Sequence, residues 1–213
     1  MYKVIDNFIP EGEQDILQKL LMSLSYTMSK GTVDGEYRKK LPFVKTLKKE
    51  TSIIQFESRI IDESVLMRSV DEDLFRDIWN IFVKNNIESV VKSINYRNDY
   101  IINRIKSNYL TRKSGFRHVH HTPHVDLYNM PEENQGVSCN YYINDSDGPT
   151  VLYNEKYKDN PSKLTVYKKI PFKKGRLLAF NSERYHTSSS PKNHDSRHIL
   201  NLVFYPKQFT NEC

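Results

Sequence analysis

The spacing of apolar residues changes about half-way along the chain. After Pro10, the residues Ile16, Leu17, Leu20, Leu21 and Leu24 fall on one helical stripe. Pro10, Glu11 and Glu13 supply the start: proline presets φ for a first turn, and acids favour the positive end of the helix dipole. Leu74, Ile78, Ile81, Phe82, Ile87, Val90, Val91 and Ile94 repeat the helical spacing, broken by Asn85 and Asn86, so residues 71–94 predict one helix or two. Residues 2–9 and 53–57 read as short strands. The Gly- and Lys-rich stretch 31–50, with Pro42, predicts a loop or lid.

Beyond Asn98 helical periodicity disappears. Segments 100–110, 137–144, 150–154, 164–170, 175–182 and 197–205 are rich in β-branched and aromatic residues and are bounded by Gly, Pro, Asn, Asp or Ser. The prediction is a mainly β fold, a barrel or sandwich, with helices on its N-terminal side. Residues 1–97 then form a helical support and 98–206 the β core of a single domain, as 213 residues allow.

Composition narrows the classes of chemistry. A mean hydropathy of -0.67 and the lack of a long apolar run exclude a membrane span, and the first residues carry no secretory pattern, so a cytoplasmic protein is expected. Two cysteines, Cys139 and Cys213, without C-x-x-C spacing exclude a disulfide framework and a zinc knuckle. Cys139 sits on the apolar face of a strand pattern, where a nucleophile is not expected. Ser182 and Ser188–Ser190 lie near His186 but without the G-x-S-x-G elbow of a hydrolase. The net charge of +6 favours polyanions only weakly. Lys39, Lys40, Lys45, Lys48, Lys49 and the stretch Lys168–Arg176 leave a nucleic-acid-directed reading open.

All seven histidines fall between residues 118 and 198, and four crowd the segment HVHHTPHVD. His124 and Asp126 stand at i and i+2, which on an extended strand share one face and can reach one metal ion. His186, in a later β segment, is placed to add a third ligand. Two imidazoles and one carboxylate leave coordination positions open, as in non-haem Fe(II) oxygenases. His118, His120 and His121 offer a competing metal site without a carboxylate at a suitable offset, as in a non-catalytic, cupin-like barrel.

The order of the pieces is more specific than any one of them. HVD at His124–Asp126, SCNYYIND, the turn and strand DGPTVLY, PFKKGRLLAFNSERYH ending at His186, and SRHILNLVFY with Arg197 together resemble the 2-oxoglutarate and Fe(II)-dependent dioxygenases. The similarity points to the prolyl-4-hydroxylase-like branch and its short phage-encoded members, and it covers roughly residues 98–206 together with YKVIDNFIPEGEQ. It implies a double-stranded β-helix, or jelly roll, with His124, Asp126 and His186 as iron ligands. Arg197 would grip the distal carboxylate of 2-oxoglutarate, which its planar fork matches better than a lysine does. Eleven positions separate His186 from Arg197, slightly more than the family pattern, and the turn SSPKNHDS absorbs the difference. Tyr142 falls where related enzymes direct a tyrosine hydroxyl to the same carboxylate. Asn108 falls where they steady the chelating end, with Tyr109 as its rival should the register slip by one.

The resemblance further implies a hydroxylase that consumes O2 and 2-oxoglutarate and releases succinate and CO2. Its substrate would be a peptide, prolyl peptides included, or a small molecule. Residues 31–50 and 112–123 are the candidate lids. The sequence carries no signal for an oligomeric state.

Overall fold

Strand alternation sorts the side chains of the second half into two surroundings. On β5 (Val137–Tyr142), Cys139 and Tyr141 join an apolar cluster with the helices, whereas Ser138, Asn140 and Tyr142 turn inwards. On β10 (Ser196–Pro206), Leu200, Leu202 and Phe204 take the helix side, and Arg197, Ile199 and Asn201 line an internal cavity. β8 (Leu177–Asn181) does the same, with Leu177 and Ala179 outward and Leu178 and Phe180 inward. A period of two on each strand thus builds one layer for the helices and one for the site.

The computed structural model describes residues 1–30, 43, 54–62, 72–95, 99–112, 121–128, 130 and 135–207. The remaining elements are β1 (Tyr2–Ile5), α1 (Glu11–Met22), β2 (Thr27–Lys30), β3 (Ile54–Asp62), α2 (Glu72–Lys84), α3 (Ile87–Ile94), β4 (Tyr100–Thr111), β6 (Thr150–Lys156), β7 (Val166–Ile170) and β9 (Arg184–Ser188). They form a seven-stranded sheet in the order β1-β8-β5-β10-β4-β3-β2 and a three-stranded sheet in the order β7-β6-β9, with antiparallel pairing throughout. Leu17 and Leu21 of α1, Ile78 and Phe82 of α2, and Ile87, Val90 and Val91 of α3 bury the outer face of the large sheet. A second cluster, with Leu152 and Ile170 from the small sheet and Leu178, Phe180 and Ile199 from the large one, fills the space between the sheets. No helix among the described residues is long and apolar enough to cross a membrane.

The mainly β architecture with N-terminal helices agrees with the expectation, and the differences are local. Asn86 adopts φ 62° and ends α2, so the 71–94 stretch is two helices; a short polar side chain tolerates this left-handed conformation. The first strand stops at Ile5, ahead of Asn7 at φ 50°. β3 runs on to Asp62, past the expected end at residue 57, because it pairs with the long β4. Neither β2 nor β9 is predicted as a strand of its own. TMSK is an edge strand with little apolar content, and β9 is polar because it faces the cavity. The proposed lid at 31–50 lies outside the described residues except for buried Phe43, and 112–123 is described only at Arg112 and at residues 121–123.

One turn fastens the helical layer to the β core. Gly175 has φ +76°, its N–H donates to the Tyr142 carbonyl, and its carbonyl accepts from the Phe8 N–H, each at 2.9 Å. Buried Gln14 of α1 rests against it while donating to the Ile9 carbonyl at 2.8 Å. A Cβ at Gly175 would meet Gln14 Nε2 at 2.7 Å. The left-handed conformation alone costs an L residue about 1–2 kcal/mol. Gly175→Ala is therefore expected to lower unfolding free energy by at least that amount in urea titration, and an unchanged midpoint would contradict this role of the turn.

Candidate functional site

Two backbone hydrogen bonds close the small sheet on the H-x-D segment. His124 N–H donates to the His186 carbonyl at 3.0 Å, and His186 N–H returns the bond at 2.9 Å. This is a single antiparallel bridge at the free edge of β9. Residues exchanging both hydrogen bonds in an antiparallel pair present their side chains to the same face. The two imidazoles accordingly meet, with ring centroids 4.4 Å apart. The expected extended strand through His124 and Asp126 is thus reduced to one bridge. The chain bends after His124, and Asp126 N–H is fixed by the Ser182 carbonyl at 3.0 Å. The bend still delivers the carboxylate to the same place.

His124, Asp126 and His186 offer donor atoms that all lie within 4.8 Å of one another, the one such His, Cys, Asp and Glu cluster among the described residues. Nδ1 of His124 faces the Thr122 carbonyl at 3.2 Å and Nδ1 of His186 faces the Arg184 carbonyl at 3.1 Å. A carbonyl only accepts, so each Nδ1 carries a proton and Nε2 is the ring nitrogen turned to the other ligand candidates. Burial, then the neighbouring His186, pushes His124 down to about 3, so it is neutral and able to ligate at neutral pH. Burial would raise the Asp126 carboxyl, but His186 and Arg104, followed by His124 and the Ser138 hydroxyl, outweigh it and hold the group ionised. A neutral His124, a second imidazole from His186 and an ionised carboxylate are a donor set that fits a divalent first-row metal with open positions.

Arg197 lines the same cavity, whose volume is about 350 Å³. Only 1% of it is exposed. Nε donates to the Gly148 carbonyl at 3.0 Å and Nη2 to Thr150 Oγ1 at 2.9 Å, and the guanidinium lies 5.1 Å from the Phe172 ring centroid. No carboxylate pairs with it among the described residues. Burial lowers it to about 10, which leaves it charged at neutral pH. Leaving a buried cation without a counter-charge costs several kcal/mol, unless a ligand anion supplies one.

Tyr142 faces inward, as the strand register predicts, with Tyr141 on the other face. It does not line the cavity, however. Its hydroxyl donates to Thr150 Oγ1 at 2.8 Å and its ring stacks on Phe172 at 4.2 Å. Thr150, which sequence reasoning missed, stands between Tyr142 and Arg197. Asn108 lines the cavity and accepts from Gln55 Nε2 at 3.0 Å, while its rival Tyr109 points to the opposite face, against His198. Lys106, on the strand face of Asn108, forms a largely buried ion pair with Glu57 of the neighbouring strand, a partner that sequence reasoning missed because it comes from another strand.

The competing features are accounted for differently. His118 and His120 lie outside the described residues, and His121 is buried with its N–H on the Ser188 carbonyl. Burial pushes the Cys139 thiol far up, which removes it as a nucleophile. Within the basic stretch, Lys173 and Arg176 pair with Asp6, and Lys174 with Asp15. The lysines at 39–49 are outside the described residues.

No protein-family model matches the sequence, and no curated protein matches it. Solved structures do. The chain is similar to an oxidoreductase of the 2OG-Fe(II) oxygenase family from Burkholderia pseudomallei, with a TM-score of 0.66 and 12% identity over 96% of this chain and 84% of that one. It is also similar to SnoN, a non-heme alpha ketoglutarate dependent epimerase from nogalamycin biosynthesis (TM-score 0.63, 11% identity, 95% and 76%). A third neighbour is the prolyl hydroxylase of Trichoplax adhaerens in complex with a hypoxia inducible factor peptide fragment (TM-score 0.52, 17% identity, 97% and 84%). The likeness is one of fold: the chain has a 2-oxoglutarate oxygenase-like fold.

The buried histidines make stability depend on pH. Burial lowers His198 to about 4, as it lowers His124 to about 3, from an ordinary value of 6.5. Between 6.5 and the folded values, the unfolded chain binds protons that the folded chain does not, so stability falls as pH drops through this window and is level above it. Each histidine contributes up to about 1.4 kcal/mol per pH unit. Urea titrations of the metal-free protein at pH 7, 5.5 and 4.5 should show this decline, and His198→Asn should make it shallower by one histidine's share. Equal slopes in the two proteins would contradict the assignment.

Proposed function

We propose that this protein is an Fe(II)- and 2-oxoglutarate-dependent dioxygenase of the prolyl-4-hydroxylase-like kind, hydroxylating a C–H bond of a peptidyl or small-molecule substrate. One observation carries the reading: a cluster of two imidazoles and one carboxylate shares a cavity with a fully buried guanidinium that has no carboxylate partner among the described residues. The first fits a metal with open positions, and the second calls for an anion. A dicarboxylate that chelates the metal at one end answers both. The strand order β4-β10-β5-β8 opposite β7-β6-β9 supports a double-stranded β-helix formed by residues 98–206, with the helices of 1–97 as its support within one domain.

In this reading His124, Asp126 and His186 hold Fe(II), and the Thr122 and Arg184 carbonyls fix the tautomers that expose Nε2. Arg197 receives the distal carboxylate of 2-oxoglutarate. Two of its five N–H groups are spent on Gly148 and Thr150, which orients the fork without neutralising it. Tyr142 holds Thr150 in place and so acts on Arg197 at one remove. Asn108, steadied by Gln55, faces the chelating end. When bound, Fe(II) and 2-oxoglutarate supply oxidising power from O2, with succinate and CO2 as co-products. The chain's own contribution is to keep these groups aligned and to exclude water by the apolar walls from Phe180 and Ile199. The molecules with which the neighbours are complexed, a peptide fragment of hypoxia inducible factor and nogalamycin RO, support peptides and small molecules as the substrate classes to search.

Anaerobic addition of Fe(II) and 2-oxoglutarate is expected to produce the visible metal-to-ligand charge-transfer band of the chelate, and admitting O2 should then yield succinate. His124→Ala and Asp126→Ala should abolish both. Arg197→Ala should weaken 2-oxoglutarate binding about 10- to 100-fold, from the loss of charge-assisted hydrogen bonds worth about 1.5–3 kcal/mol. A folded, iron-loaded protein without the band would overturn the proposal.

A further inference from the structure

Asp126 presents its two oxygens to different surroundings. Oδ1 accepts from Arg104 Nη2 at 2.7 Å. Oδ2 accepts from the Ser138 hydroxyl at 2.6 Å and from Asn201 Nδ2 at 3.3 Å, and it lies 3.7 Å from His186 Nε2. The oxygen beside His186 is therefore Oδ2, and Oδ1 is the one that Arg104 holds. The guanidinium is held in turn, since the same Nη2 donates to Asn201 Oδ1 at 3.0 Å. Arg104 comes from β4, three strands removed from β8 and on a different sheet from His186, so the contact is made by tertiary structure alone. Asp126 is 5% exposed and Arg104 24%, so little water competes for the pair.

We infer that Arg104 is a positioning residue that keeps Asp126 a one-oxygen metal ligand. The inference rests on the reading of the site as a metal centre that binds a chelating co-substrate. A carboxylate can meet a metal through one oxygen or two. The second mode fills another coordination position. With two imidazoles and one carboxylate oxygen, an octahedral metal keeps three positions, enough for a chelating 2-oxo acid and one further small molecule. A carboxylate bound through both oxygens leaves two, and chelation and O2 then compete. The charge-assisted hydrogen bond to Oδ1 opposes rotation into that mode. Arg104 lines the same cavity, and its effect on the metal is exerted through Asp126.

The role separates two affinities that a merely structural residue would lower together. At saturating Co(II), used in place of Fe(II) because it does not turn over, Arg104→Met should weaken 2-oxoglutarate binding about tenfold or more, whereas the Kd for Co(II) alone should stay within about threefold or fall. In Co(II)-loaded protein with isotopically labelled aspartate, the gap between the antisymmetric and symmetric carboxylate stretches should narrow, as it does when both oxygens bind. Arg104→Lys, which can still donate to Oδ1, should restore the wide gap and most of the 2-oxoglutarate affinity. Should Arg104→Met fail to fold, Arg104→Gln carries the same expectation, because its shorter side chain leaves Oδ1 free. Unchanged 2-oxoglutarate affinity with an unchanged gap would overturn the inference, as would a parallel loss of both affinities. Wild-type protein that binds Co(II) without binding 2-oxoglutarate would instead overturn the functional reading, and the inference with it.

Discussion

The backbone bridge between His124 and His186 is the constraint on which the site depends. These residues are far apart in sequence, and only the antiparallel register brings their imidazoles to one face. The same register sets β9 beside β6, with Leu152 opposite His186, and so ties the His124, Asp126 and His186 cluster to the apolar filling between the sheets. Phe180 completes the coupling by packing its ring against His186 at 4.8 Å. A slip of one residue in β9 would turn His186 away from the cavity and Tyr185, now packed on Phe43, into it.

Among the described residues, charge inside the cavity is arranged in pairs, with one exception. Arg104 is matched by Asp126, and Lys106 by Glu57. Arg197 is held by neutral acceptors and aromatic faces instead. Such an imbalance is costly in an apolar interior and is tolerated where a ligand restores it. Gly148 shows how closely the chain is fitted around the guanidinium: a Cβ there would lie 2.3 Å from the Ser189 carbonyl oxygen and 3.2 Å from Arg197 Cδ. The pairing also bears on the basic character of the chain. The cations at Lys173, Lys174 and Arg176 clamp β1 and α1 onto the β core through Asp6 and Asp15, which gives part of the positive charge a structural purpose.

Much of the site was legible because strand alternation is a local property. From RHILNLVFY alone, Arg197, Ile199 and Asn201 share a face, and from SCNYYIN, Tyr142 shares one with Asn140 and Ser138. Both hold, since neighbouring peptide units alone dictate alternation. The helical stripes of the first half were legible for the same reason, and so was the break at Asn85 and Asn86. The order of motifs pointed to His124, Asp126 and His186 as one cluster, although no spacing rule brings residue 186 to residue 124.

Tertiary structure alone decided the rest. Which carbonyls fix the two imidazoles, why Thr150 separates Tyr142 from Arg197, and where Arg104, Lys106 and Glu57 stand depend on pairings between strands remote in the chain. A charged residue on a β pattern reads the same whether its face meets water or a cavity, and the sheet order settles which. The polar strand β9 was legible only as a late β segment around His186, without bounds of its own, on that account: its side chains are largely hydrophilic because they line or border the site, although the strand is buried. Local sequence determined the faces of each element, and the assembly of the sheets determined what each face meets, because burial is a property of the whole fold.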